Sequence, residues 1–128
     1  MYKVVRKFSA GFAIFVGISM IGLWTMLLLT SQVPELETSP FSIAFHLVAE
    51  IFTAFLLIIG GIMVYRKHLL GEKIYLISVG MLLYTVINSS GYYAQSGDWG
   101  FVVMFAILFI LTVMIITRFL SIKKGATN

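Results

Sequence analysis

The chain has 128 residues, 60% of them hydrophobic and 11% charged, with a formal net charge of +4 and no cysteine. Soluble domains carry roughly 25% charged residues, and a domain this small buries only about two-thirds of its chain, so water is the wrong solvent for this composition. The lack of cysteine excludes disulfide exchange, thiolate metal sites and thiol nucleophiles, and with them the thiol-based four-helix membrane oxidoreductases.

The first apolar segment, about residues 8–29, follows Lys3, Arg6 and Lys7. That order resembles a secretory leader, but no small-residue cleavage site follows Trp24, so it reads as a retained first span. Ser9, Ala13 and Gly17 recur every four residues, which gives the helix one thin face for close packing. Residues 31–40 form a polar connection ending in Ser39-Pro40, with Ser expected as the cap and Pro at the first helical position. The second segment, 41–65, contains Gly60-Gly61 near its end. Arg66, Lys67, His68 and Lys73 then precede the third segment, 74–93, where Ser78 and Gly80 offer small contact positions. A tight turn over 94–98 leads to the fourth, 99–119.

Each segment is close to the ~20 residues that cross ~30 Å of hydrocarbon as a helix. Helices are required because backbone polar groups in lipid must be satisfied within the segment. Short connections make successive helices antiparallel neighbours. The expected fold is therefore all-α: a single integral-membrane domain over 1–128, an up-down-up-down bundle of four transmembrane helices.

The charges sort by side. All nine basic residues (Lys3, Arg6, Lys7, Arg66, Lys67, Lys73, Arg118, Lys123 and Lys124) flank the same ends of the spans. The other ends carry Glu35, Glu37 and Asp98 without Lys or Arg. The positive-inside rule then places both termini in the cytoplasm of a multi-pass inner-membrane protein. Small basic groups at span ends suit anionic lipid rather than nucleic acid. Tyr2, Tyr65, Tyr92, Tyr93 and Trp99 fall where interfacial aromatic belts form.

Glu50 is the one acid that this scheme puts inside hydrocarbon, at a cost of several kcal/mol unless it is neutral or paired, and such residues mark functional sites. Ser42, His46, Glu50 and Thr53 are spaced by four, four and three, on one helical face. Tyr84 and Asn88 are four apart on the third span, with Thr85 and Ser89 beside them. At ~1.5 Å per residue, Glu50 and Tyr84 lie at similar depth, as do His46 and Asn88, and Trp24 and Thr25 reach the same outer half. The fourth span contributes mostly apolar wall. The expected site is a polar pocket of His46, Glu50, Tyr84 and Asn88, with Thr53, Thr85 and Trp24 around it.

Away from water Glu50 is either neutral or bonded to His46, and such a pair suits a proton-linked carrier, a cation site or the polar end of a lipid-like ligand. The plainer alternative is that both groups only fix helix register. A metal site lacks ligands, since zinc needs three or four and only His46 and Glu50 are available in one copy. Haem between His46 and His68 fails on distance, with ~33 Å of helix between them. A hydrolase built on Ser42 or Ser89 lacks a nucleophile elbow. No cofactor or reaction is indicated, and the balance is against an enzyme. Two functional readings remain. One is a binding or translocating site for a small solute, proton or lipid-like ligand in a homo-oligomer. The other is an accessory subunit that docks a partner membrane protein through the same stripe.

His46-Leu-Val-Ala-Glu50, Gly60-Gly61 and Tyr84-Thr-Val-Ile-Asn88-Ser-Ser-Gly-Tyr-Tyr93 give the chain a layout that resembles small, uncharacterised four-helix membrane proteins of prokaryotes. The resemblance covers the second and third spans and implies the bundle but no activity. Small multidrug carriers place their acid in the first helix, where this chain has none, and the polar signature of fluoride channels is missing.

Overall fold

The structure, a computed structural model, describes residues 2–127, with side chains described from 3 to 122. Tyr2, Lys123 and Lys124, counted above among the belt aromatics and basic flanks, lie outside the described side chains. The described residues form five α-helices: α1 (Tyr2–Leu29), α2 (Glu35–Thr38), α3 (Pro40–Tyr65), α4 (Gly71–Ser96) and α5 (Trp99–Thr127). Four of them are long and apolar enough to cross a membrane.

Each long helix contains its expected segment, and all four overrun it, α3 by Pro40 alone. Hydropathy marks only the apolar stretch, whereas backbone hydrogen bonding continues through the flanking polar residues. Lys3, Arg6 and Lys7 are thus inside α1, and α5 runs eight residues past its apolar segment, to Thr127. Likewise α4 runs on to Ser96, which reduces the expected 94–98 turn to Gly97-Asp98. Gly97 sits at φ +80, the left-handed region that favours glycine, and the Asp98 N–H donates back to the Tyr93 carbonyl at 2.9 Å.

The connection after α1 contains a helical turn that periodicity did not reveal. Pro34 opens it, and Glu35 and Glu37 occupy its first turn, where acids are favoured. Ser39 differs from its expected role. Pro40 does occupy the first turn of α3, but the Ser39 side chain makes no capping bond. Ser39 also ends α2, donating its N–H to the Glu35 carbonyl at 2.8 Å, and its backbone is set by that bond.

Helix α1 packs on α3, α3 on α4 and α4 on α5, while α5 touches α1, so the four long helices surround one core. The contacts are closest where side chains are smallest. A Cβ added at Gly61 would lie 2.8 Å from the Ala10 carbonyl oxygen, and one added at Gly17 would lie 2.7 Å from that of Ala54. Backbone therefore meets backbone along α1 and α3, the close approach that small residues allow between apolar helices. Gly60 and Ser78 join this packing, but Gly80, expected to do the same, is exposed with nothing within 4 Å of its Cβ position.

One end of the bundle is consequently closed. Tyr75 is fully buried there. Its hydroxyl donates to the Ser9 carbonyl at 3.0 Å, and its ring lies 5.1 Å from that of Phe119. This one side chain from α4 ties α1 to α5. Ala10, Ala13, Leu57, Val64, Val79 and Ile115 fill the space around it.

Substitution at the two kinds of glycine separates packing from propensity. Gly61→Val forces α1 and α3 apart and lowers stability by about 1–3 kcal/mol, the usual range for overpacking. Gly80→Ala leaves it unchanged or slightly raised. Thermal unfolding of the detergent-solubilised variants measures both.

Candidate functional site

Away from the closed end, the same helices leave a cavity of about 550 Å³. It lies within the 300–1,000 Å³ typical of small-molecule sites. Helix α1 contributes Met20, Leu23, Trp24 and Leu27, and α3 contributes Ser42, Ile43, His46 and Glu50. Across from them stand Thr85, Ser89, Tyr92 and Tyr93 of α4 and Phe101, Phe105 and Leu108 of α5. Glu35 and Asp98 join from α2 and from the turn before α5. Exposed Gln32, Ser42, Ser96 and Asp98 border the mouth.

Glu50 is the last α3 residue to line the cavity, one turn before buried Ala54, and it is 7% exposed. Trp24 Nε1–H donates to Glu50 Oε2 at 3.5 Å, and His46 Nε2 lies 3.9 Å from Glu50 Oε1. The Trp24 and His46 rings meet edge to face, with centroids 5.8 Å apart. These contacts orient the carboxyl but fill it poorly. A carboxylate offers about four acceptor positions, and a 3.5 Å bond is at the long limit. Among the described residues no shorter bond reaches it.

The other residues singled out in the sequence are distributed as follows. Thr53 is buried, and its hydroxyl donates to the Ala49 carbonyl of its own helix at 2.7 Å. Thr85 is 8% exposed, lines the cavity, and its Oγ1 has no hydrogen-bond partner among the described residues. Asn88 lines the cavity while remaining largely exposed. Tyr84 is 75% exposed and turned to the outer surface. There it borders a shallow groove of about 150 Å³, shared with His46, Ala49, Glu50, Thr53, Met81 and Thr85. Depth along the axis brought Tyr84 level with Glu50, but each residue turns a helix by ~100°, so Thr85 and Ser89 take the inner face instead. His68 lies in the α3–α4 connection, where its Nδ1 accepts from the Leu70 N–H at 3.1 Å.

Several lining residues had been read in other roles. Glu35 and Asp98 served as markers of sidedness, and Tyr92 and Tyr93 as belt aromatics. The Tyr92 hydroxyl donates to Glu35 Oε1 at 2.6 Å, tying the α2 segment to α4. Buried Val33 fixes the same segment from the apolar side. Tyr93 stacks on Phe101 and Phe105, at centroid distances of 4.5 and 5.8 Å. The signal that points to these residues is connection length. Short turns force groups at adjacent helix ends together, whatever face they occupy.

Fold and site together define a bundle of four helices, each long and apolar enough to cross a membrane, with a blind cavity that holds a sequestered acid. Residues 3–128 match the family model described as Domain of unknown function (DUF8058), and the chain belongs to that family. No curated protein and no solved structure matches the chain.

The chain has no native cysteine, so single introduced thiols report directly on this geometry. Ser89→Cys reacts with a small soluble maleimide in the folded protein. Ser78→Cys, fully buried at the closed end, reacts at least about tenfold more slowly, because buried thiols are inert. Equal rates at the two positions refute the division into closed and open ends.

Proposed function

We propose that this is an integral membrane protein of four antiparallel, up-down-up-down transmembrane helices, whose cavity binds a small amphipathic ligand at Glu50. The basic residues face the cytoplasm, which puts both termini there and turns the cavity mouth outward across the inner membrane. The observation that carries this reading is the sequestered carboxyl of Glu50 on the floor of a cavity that opens at one end. An acid used only for packing would be closed around by donors. This one has two long contacts and a cavity beside it.

In this reading Glu50 binds the polar head of the ligand, and Trp24 and His46 position the carboxyl. His46 also provides a second proton-accepting group one turn away, so ligand and proton can exchange at the same place. Thr85 faces the same space, whereas Thr53 supports α3 from behind, and Asn88 stands nearer the mouth. The apolar wall from α1 and α5 accepts the body of the ligand. The packed end around Tyr75 supports a binding site or the outward-facing state of a carrier, since the cavity does not continue through it.

A second reading has its own support. The outer groove beside Tyr84 reaches His46 and Glu50 from the side, and a large exposed aromatic next to a shallow depression suits a docked helix. In that case the chain is an accessory subunit, or pairs with a second copy, through the α3–α4 face.

Two experiments decide. The first concerns sidedness. In intact cells a membrane-impermeant maleimide labels Ser42→Cys, and labels Lys67→Cys only after permeabilisation; the reverse pattern overturns the orientation. The second concerns the site. Wild-type protein retains a small molecule through gentle purification, detected by native mass spectrometry. Glu50→Gln retains at least about tenfold less, the loss expected for a hydrogen bond to a charged group, with helicity and elution volume unchanged. Full retention by Glu50→Gln refutes the site. Loss of a co-purifying membrane chain in Tyr84→Ala, with the small molecule kept, supports the docking reading.

A further inference from the structure

We infer that the ligand class of this cavity is the amphipathic organic cation: a protonated amine or quaternary ammonium carried on an apolar, ring-sized body. This rests on the cavity being a ligand site, as proposed above, and specifies what it selects.

Charge is the first ground. The lining carries three carboxyl groups, Glu35, Glu50 and Asp98, and no lysine or arginine among the described residues. The nearest cations along the helices are remote. Arg66 follows Glu50 by 16 residues, or ~24 Å of helix, and Arg118 follows Asp98 by 20, or ~30 Å. His46 is the one basic side chain among the described lining residues, so it offsets at most one carboxylate. A cavity with low-dielectric walls and one sign of charge concentrates the opposite ion and repels its own.

The second ground is hydrogen bonding. Among the described residues the Glu50 carboxyl is met only by Trp24 Nε1–H at 3.5 Å and His46 Nε2 at 3.9 Å, and it lines the cavity. A carboxyl offers about four acceptor positions, so most of them are left over, and an ammonium N–H is a donor that satisfies them. The Trp24 indole N–H is itself already directed at Glu50.

The third ground is shape. On the cavity wall Tyr93, Phe101 and Phe105 form a stack of three rings. Trp24 adds a ring from α1. Aromatic faces attract cations within about 6 Å, and they offer apolar area to the body of the ligand. A small hydrated metal ion uses neither this area nor a cavity of about 550 Å³.

A pair of probes alike in size and differing in sign tests the inference: tetraphenylphosphonium and tetraphenylborate. The protein is used full length in maltoside micelles. Trp99→Phe, a change at an exposed position, leaves Trp24 as the sole tryptophan and as reporter. Tetraphenylphosphonium shifts Trp24 fluorescence saturably and binds at least about tenfold tighter than tetraphenylborate. Adding Glu50→Gln cuts its affinity by about tenfold or more, as expected for loss of a charged acceptor. Equal binding of both ions, untouched by Glu50→Gln, overturns the cationic class while leaving a ligand cavity in place. No saturable response to either ion overturns the cavity reading itself. Titrating phosphatidylethanolamine into the micelles then identifies the source of the amine. Competition with the phosphonium names a lipid headgroup, and unchanged binding names a soluble cation; either result stands within the class.

Discussion

The approach of α1 and α3 to backbone contact at Gly17 and Gly61 sets the form of everything around it. With no side chain between them, the two helices lie closer than leucine-sized contacts allow, and α4 follows through Gly60 and Tyr75. Toward the cavity the residues of α1 and α3 that line it are larger. Beyond Gly17 the facing positions of α1 are Met20, Leu23, Trp24 and Leu27, and those of α3 are Glu50, His46 and Ile43. Bulk at these positions holds the helices apart. The closed end and the cavity are therefore two results of one gradient in side-chain size.

That gradient also explains why an acid is tolerable at this depth. Glu50 lies where the packing gives way, one turn from Ala54, so it escapes both the dense core and the exposed outer surface. Trp24 holds it through an indole N–H, a donor that carries no charge of its own, and His46 adds a titratable neighbour. An arginine in place of either would neutralise the carboxyl and fix it. What stands there instead is an orienting set that leaves acceptor capacity over, which is the property expected of a binding group rather than of a structural pair.

The mouth is organised by different means. Its acids come from short connections, not from helix faces: Glu35 from a single helical turn and Asp98 from the position after a left-handed glycine. Tyr92 bonds Glu35 to α4, and the stacked rings of Tyr93, Phe101 and Phe105 join α4 to α5. The cavity thus combines stacked aromatic rings with carboxyl groups at its mouth and at Glu50. The functional reading follows from this combination more than from any single residue.

The sequence by itself determined the all-α class, the four long apolar helices (though α1 starts six residues early and α5 ends eight residues late), the thin faces at Ser9, Ala13 and Gly17 and at Gly60-Gly61, and the choice of Glu50 and His46 as the residues to watch. These are one-dimensional properties: hydropathy length, spacing along a helix, and the cost of an ionisable group in hydrocarbon. Tertiary structure decided what spacing leaves free, namely the rotation of each helix about its own axis. That rotation turned Thr85 inward and Tyr84 outward, although the two are adjacent in the chain. It also decided how connections fold back, which brought Glu35, Asp98 and Tyr92 to the same cavity as Glu50. Helical periodicity says which residues share a face, but only packing against neighbours says where that face points.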